Sequence, residues 1–387
     1  MKSYRAVVIG TGFIGPVHVE GLKRAGVEVA GIVGSTPEKS RAACERLGLP
    51  SVYATLADAL SDTTVDSVHL TTPNVLHYEQ VKMVLAAGKH CLCEKPLAMN
   101  SVQSAELVQL AESTGVVTGV AYNIRFYPLC HEAAARVASG SIGDVISVTG
   151  SYAQDWLLYP SDFNWRVMAE DGGALRAVAD IGTHWLDLIQ FVTGKKVVSV
   201  CADLRTVYQQ RFRSVGGAET FSGSPSKATE TQAIDVTTED CGSIMLRFAS
   251  GANGCLWVSQ VTAGRKNSLR FELAGTESAL EWNSESPNQM WIGHRAHANE
   301  LLIRDPALLD SSAAGISNYP GGHNEGFPDT FKQLFRSFYG YIDCEDNSAL
   351  APFPTFADGH REIVLCDAVL KSHQQRRWID VSEFAGE

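Results

Sequence analysis

Along the first hundred positions, apolar residues come in short runs that alternate with segments of helical spacing. Runs at 6–10, 27–33, 65–70 and 90–93 read as buried strands, and 15–25, 37–47 and 76–87 read as the helices between them. Parallel neighbours need a crossover to join them, so this rhythm predicts an α/β unit built on a doubly wound parallel sheet. Gly26, Gly48 and Gly88 each stand just past a helical segment, where a left-handed cap is needed. A further helix at 101–114 and a strand at 116–120 carry this unit to residue 122, and 123–128 reads as a junction. Beyond it the period changes to two, with strands expected at 145–152, 197–207, 234–239, 243–249, 254–261, 268–274 and 279–282. Helices at 131–139, 183–192, 329–342 and 358–375 are expected to cover one face of that sheet. The reading is therefore an N-terminal unit over 1–123 and a C-terminal α+β domain over 124–387 with a large, open, mostly antiparallel sheet. The Gly/Ser/Thr-rich stretch 214–231 reads as a mobile loop, and no internal repeat is found.

Composition narrows what such a chain can do. At 387 residues and 45% hydrophobic content there is enough apolar surface for two cores. No stretch reaches the ~20 apolar residues of a membrane helix, and residues 1–5 run into the first strand without a secretory leader, so a cytoplasmic location is expected. A net charge of -11 opposes attraction to nucleic acid or to anionic membrane, which leaves small molecules as expected partners. The 9 cysteines are scattered without paired metal-site spacing and read as reduced thiols.

Three motifs carry chemistry. Gly10, Gly12 and Gly15 form G-x-G-x-x-G between the first strand and the first helix. In that setting the glycines permit a tight turn, a close backbone approach to a pyrophosphate and close helix–strand packing, so NAD or NADP is expected. The acidic residue that holds the ribose in NAD-binding versions would fall at Gly34, followed by Ser35, Thr36 and Lys39. Two hydroxyls and an ammonium at a helix start suit a 2′-phosphate, which leans the reading to NADP. The alternative is that the three residues only cap the helix while NAD binds through backbone and ribose contacts. Glu94-Lys95-Pro96 places a lysine after the strand at 90–93, at the edge of a parallel sheet where ligands bind. Asp180 and His184, four apart, fall on one face if a helix begins near Asp180, and an imidazole is suited to exchanging an alcohol proton at neutral pH. The 11 histidines show neither H-E-x-x-H nor a close His/Asp/Cys cluster, so no metal is expected.

With these residues in hand, the chain resembles the family of glucose-fructose oxidoreductase and inositol dehydrogenase, Gfo/Idh/MocA. The resemblance runs through Gly10-Thr11-Gly12-Phe13-Ile14-Gly15, Thr72-Pro73-Asn74 with His77, Ala87-Gly88-Lys89-His90 into Glu94-Lys95-Pro96, and Asp180-Ile181-Gly182-Thr183-His184. It implies a Rossmann domain whose cofactor contacts include Phe13, Ile14, Thr72, Pro73, Asn74, His77, Glu94 and Lys95 beside the glycines. It further implies Lys95 as catalytic lysine, Asp180 as a substrate-orienting group and His184 as acid/base, with hydride passing to the nicotinamide C4. Segments 263–267 and 320–323 resemble a sugar-acting branch, which brings in His323. Asn123, Arg125, Tyr152, Asp155, Trp156, Trp165 and Arg166 stand where a carbohydrate would find hydroxyl partners and a stacking face, although packing competes for the tryptophans. The expected function is an NAD(P)-dependent sugar or polyol dehydrogenase. Two alternatives remain open, a glycosidase that oxidises its substrate only transiently and a non-catalytic nucleotide-binding regulator. A homodimer or homotetramer is expected, because an open sheet would otherwise expose apolar side chains around Trp257 and Phe271.

Overall fold

A computed structural model of the chain describes residues 3–214, 231–344 and 350–384, so the expected loop at 214–231 falls almost wholly outside the described residues. Two compact units emerge, one of residues 1–126 with 327–363 and the other of 127–326 with 364–387.

The first unit opens with β1 (Arg5–Ile9), α1 (Ile14–Ala25), β2 (Glu28–Val33), α2 (Pro37–Leu47), α3 (Leu56–Ser61), β3 (Ser67–Leu70), α4 (Asn74–Ala86), β4 (His90–Cys93), α5 (Ser101–Thr114) and β5 (Thr118–Val120). The strands form one parallel sheet in the order β2-β1-β3-β4-β5. Strand periodicity splits β1 between two cores: Ala6 and Val8 join Val19, Leu22 and Ile32 on one face, while Val7 and Ile9 join Val81, Val84 and Leu107 on the other. The expected caps are present, with Gly26 and Gly48 left-handed at the ends of α1 and α2.

The second unit contributes α6 (Pro128–Ala138), β6 (Val145–Ala153), α7 (Ala169–Gly172), α8 (Thr183–Thr193), β7 (Val197–Arg205), β8 (Gln210–Ser214), β9 (Thr231–Asp235), β10 (Cys241–Phe248), β11 (Asn253–Ser259), β12 (Ser268–Gly275), β13 (Ala279–Asn283), β14 (Gln289–Gly293), β15 (Glu300–Ile303) and α9 (Ser311–Ala314). Then α10 (Phe327–Ile342) returns to the first unit, and α11 (Phe356–Gln375) leads back to β16 (Ile379–Asp380) in the second. Nine strands form one sheet, β15-β14-β13-β12-β6-β11-β10-β7-β16, antiparallel throughout except for β6 beside β11. Helix α8 lies almost wholly buried, and its Trp185 donates Nε1–H to the Arg270 carbonyl at 2.9 Å. A side chain at Gly150 would strike that indole, so helix and sheet meet as closely as glycine allows.

Three expectations need correction. The helix at 329–342 belongs to the first unit, where Phe331, Leu334, Phe335 and Phe338 pack with α1 residues. A methyl at Gly21 would stand 2.7 Å from the Phe335 ring, so the two helices touch directly. The boundary expected at 123/124 accordingly becomes a unit closed by a returning segment. The strand expected at 234–239 is instead the end of a separate β8–β9 hairpin, Gln210 facing Asp235. Phe271 is buried against Trp282 and leaves Trp257, 42% exposed, on the outer face of the sheet with Met245. Among the described residues no helix is long and apolar enough to cross a membrane.

Candidate active site

Three turns line one edge of the first sheet because β1, β3 and β4 are parallel neighbours that end side by side. The glycine turn follows β1, Thr72-Pro73-Asn74 follows β3, and Glu94-Lys95-Pro96 follows β4. Gly10 has φ +118, and any side chain there would collide with Thr71, while one at Gly15 would strike the Gly10 carbonyl at 2.0 Å. Gly12 differs, since a methyl added to it would meet nothing within 4 Å. The first and third glycines are thus demanded by the protein, whereas the second faces open space beside the start of α1, the side from which a pyrophosphate approaches. Phe13 next to it is 57% exposed. These residues fit a dinucleotide.

His77 ties two of the turns together. Its Nδ1 lies 2.8 Å from the Pro96 carbonyl and its Nε2 2.9 Å from that of Thr72, so the buried ring braces the lysine turn against the start of α4. Burial lowers the pKa of this histidine. The Lys95–Pro96 peptide is cis.

Glu94 turns inward, and its carboxylate terminates a buried chain. His18 Nε2 lies 3.0 Å from Glu94 Oε1, His18 Nδ1 3.0 Å from His69 Nδ1, His69 Nε2 3.0 Å from the Tyr339 hydroxyl, and that hydroxyl 2.6 Å from Ser67 Oγ. An ionised carboxylate only accepts, so His18 Nε2–H donates to Glu94, and the direction of the bonds beyond it follows the protonation and tautomers of the two rings. Desolvation, helped by the neighbouring His18, keeps His69 neutral, its pKa far below the usual value. The Lys95 backbone N–H donates to the other carboxylate oxygen at 3.2 Å. His18 reads from sequence as a packing residue, and nothing in its spacing reveals this partner 76 positions away.

At the end of β2, Gly34 is pressed against α2: a methyl there would lie 2.8 Å from Lys39 Cβ, and its N–H donates to Ser40 Oγ at 2.9 Å. A carboxylate has no room at that position. Ser35, Thr36 and Lys39 are exposed, Lys39 donates Nζ–H to Ser35 Oγ at 3.1 Å, and Thr36 caps α2. Glu38 also stands in this turn, its carboxyl held below the usual range by its own backbone N–H and by the Thr36 hydroxyl.

In the second unit, residues 178–182 form a π-turn immediately before α8, an irregularity often found at functional sites. Asp180 sits within it and His184 in the first turn of α8, both on one continuous helical segment as expected. Both Asp180 oxygens are occupied: Arg166 Nε donates to one at 3.1 Å and Gln260 Nε2 to the other at 2.8 Å. Gln260 was not legible from sequence because it follows an ordinary alternating strand; β11 alone carries it to Asp180. The Tyr152 ring meets His184 edge-on at 6.2 Å, and its hydroxyl donates to Asn267 Oδ1 at 2.6 Å. Burial drives the Tyr152 pKa upward. Gln154 also donates to Asn267 Oδ1, at 2.8 Å, and accepts from Trp156 Nε1 at 2.8 Å. Trp165 stacks on the Arg166 guanidinium at 4.4 Å, and Asp155 pairs with Lys266 at 2.7 Å. Tyr152, Asp155, Trp156, Trp165, Arg166, Asp180 and His184 thus belong to one hydrogen-bonded and stacked neighbourhood.

The other expected substrate residues make contacts of their own. Asn123 donates to Thr330 Oγ1 at 2.7 Å and Arg125 pairs with Asp358 at 3.6 Å, both within the first unit. His323 is exposed, and its carbonyl accepts from Arg304.

Comparison with known proteins places this arrangement. The family model described as "Oxidoreductase family, NAD-binding Rossmann fold" matches residues 4–122, and "GFO/IDH/MocA C-terminal domain" matches 130–281. The chain belongs to the Gfo/Idh/MocA oxidoreductase family. Its relatives include a levoglucosan dehydrogenase of Pseudarthrobacter phenanthrenivorans, 28% identical over 100% of both chains. A D-xylose 1-dehydrogenase (NADP(+)) of Haloferax volcanii is 34% identical over 38% of this chain and 45% of its own. A solved structure of levoglucosan dehydrogenase with NADH and L-sorbose superposes with a TM-score of 0.87 at 26% identity, covering 98% of this chain and 99% of that one. Like these Gfo/Idh/MocA relatives, the chain is an NAD(P)-dependent oxidoreductase of the sugar and polyol dehydrogenase type.

Proposed function

We propose that this enzyme oxidises a secondary hydroxyl of a sugar or anhydrosugar, reversibly, with Lys95, Asp180 and His184 as its working side chains. The observation that carries this reading is the full-length likeness to a levoglucosan dehydrogenase, joined to a glycine turn whose middle glycine faces open space on the sheet edge that also carries the Lys95 turn. Bound NAD(P)+ supplies hydride acceptance at the nicotinamide C4. The chain's own residues handle the rest. The His184 imidazole takes the hydroxyl proton, the Lys95 ammonium favours the alkoxide as the C–H bond is lost, and Asp180, clamped by Arg166 and Gln260, orients the hydroxyl. Balance requires one alcohol and one NAD(P)+ to give one ketone, one NAD(P)H and one proton. Tyr152, Asp155, Trp156, Trp165 and Arg166 serve as sugar contacts in this reading, with Asn123, Arg125 and His323 as further contacts.

Phe13, Ile14, Thr72, Pro73, Asn74, His77 and Glu94 complete the dinucleotide contacts. We keep NADP as a cofactor beside NAD, since Ser35 and Lys39 offer exposed donors to a 2′-phosphate, with Glu38 opposing it. Cytoplasmic work as a homodimer or homotetramer accompanies this reading.

A spectrophotometric screen of monosaccharides, anhydrosugars, inositols and glycosides with both nucleotides tests it. Net formation of NAD(P)H from a sugar or polyol is expected, whereas glycoside cleavage without net NAD(P)H would favour the transient-oxidation alternative. Lys95→Ala should lower kcat by at least about a hundredfold with dinucleotide affinity kept, and full turnover in that variant would refute the role of the lysine.

A further inference from the structure

The chain has neither H-E-x-x-H nor a close His/Asp/Cys cluster in sequence, yet its fold gathers two histidines and a glutamate at one turn. The β14–β15 hairpin closes through residues 294–299, with Ile292 facing Glu300 as the last paired position. Histidines 294 and 297 and Glu300 stand three apart in turn, and one donor atom from each lies within 4.8 Å of the others. His294 Nε2 is 3.1 Å from Glu300 Oε1, and the two imidazole rings lie face against face, 3.9 Å between centroids and 34° apart. None of these residues belongs to the hydride-transfer machinery.

We propose that this hairpin is a binding site for a divalent cation of the Zn2+ class. The ligand chemistry comes first: two imidazoles and a carboxylate form a borderline-soft set that suits Zn2+ and its neighbours, whereas Mg2+ and Ca2+ require oxygen ligands. Geometry agrees. Metal–ligand bonds of about 2.1 Å in a tetrahedron put donor atoms about 3.4 Å apart, close to the 3.1 Å already found between His294 and Glu300. The third donor needs to move by roughly an ångström, which an exposed side chain in a loop does without disturbing the sheet. Local hydrogen bonds hold the ligands. His297 Nδ1 lies 3.2 Å from the Ala298 carbonyl, which must accept, so Nδ1 carries the proton and the Nε2 lone pair is left for a metal. The His294 backbone N–H donates to Asn299 Oδ1 at 2.9 Å and closes the loop from its other end. Three protein ligands leave the fourth position to water, and the bound ion would staple the edge hairpin of the large sheet.

Chelator-treated, tag-free protein titrated calorimetrically with Zn2+ tests this. One saturable equivalent per chain is expected, lost or weakened at least tenfold in His294→Ala and His297→Ala, with Mg2+ giving no heat of binding. Thiolates are general Zn2+ ligands and Cys255 and Cys344 are exposed, so the Cys255→Ser/Cys344→Ser variant is the control and should keep the equivalent. Added Zn2+ should raise the Tm of wild type and not that of His297→Ala, and Co2+ should give the visible absorption of a tetrahedral site only in wild type. An absent equivalent, or one that persists unchanged in the two histidine variants, would leave His294 and Glu300 as an ordinary hydrogen-bonded pair and overturn the proposal.

Discussion

We place the choice between the two nucleotides in single side chains at the end of β2. Gly34 has no room for an acid because its neighbours in α2 fill the space, so the proposal assigns selectivity to Ser35, Lys39 and Glu38. A charge-assisted contact is worth about 1.5–3 kcal/mol, and Lys39→Ala should therefore lower kcat/KM for NADP by roughly tenfold to a hundredfold while leaving that for NAD within a factor of two or so. Equal losses for both nucleotides would remove Lys39 from the phosphate contact. The same scale shows the limits of motif reading. Gly10, Lys95 and His184 are recognisable from local spacing, whereas Gln260, Asn267 and the His18–Glu94 contact join positions far apart in sequence that look ordinary in isolation.

Among the elements, α10 carries the least expected role. Its pattern of Phe331, Phe335 and Phe338 announces an amphipathic helix, and amphipathicity does not name the partner. Only the close approach allowed by Gly21 assigns it to α1. Truncating Phe335, which is fully buried, should cost about 3–5 kcal/mol. Phe335→Ala should accordingly lower the Tm and the affinity for the dinucleotide together, and an unchanged Tm would show that α10 is dispensable to the first unit. A fragment ending at Phe126 lacks this aromatic row and should show no cooperative unfolding by circular dichroism.

For the whole molecule, acid and assembly are the tests. His69 and His77 both have pKa values lowered by burial, His69 strongly. As pH falls below about 6.5 the unfolded chain protonates both rings while the folded chain resists. The unfolded state then binds more protons, so stability declines on acidification by up to about 1.4 kcal/mol per pH unit for each ring. Raising the pH above neutrality should cost nothing through these groups. Tm measured between about pH 7.5 and 5.5 should fall for wild type and fall less for His69→Asn, and identical slopes would exclude His69. Trp257 stands on the outer sheet face with Met245, amid polar neighbours such as Ser243 and Ser151. Trp257→Lys should reduce the mass seen by sedimentation if that face joins copies of the chain, and an unchanged mass would place the contact elsewhere.

The order of residues by itself determined the alternation that makes the parallel sheet, the glycine turn at its edge, the lysine turn after β4 and the Asp180–His184 segment, because each rests on spacing within about one helical turn or one strand. Tertiary structure decided the rest. It chose the partner of α10, buried Phe271, carried Gln260 to Asp180, linked Ser67, Tyr339, His69 and His18 to Glu94 and folded two histidines onto a glutamate at the β14–β15 turn. The physical reason is that a periodic pattern says which face of an element avoids water, while which other element covers that face depends on shape and on groups brought together only when the chain closes on itself.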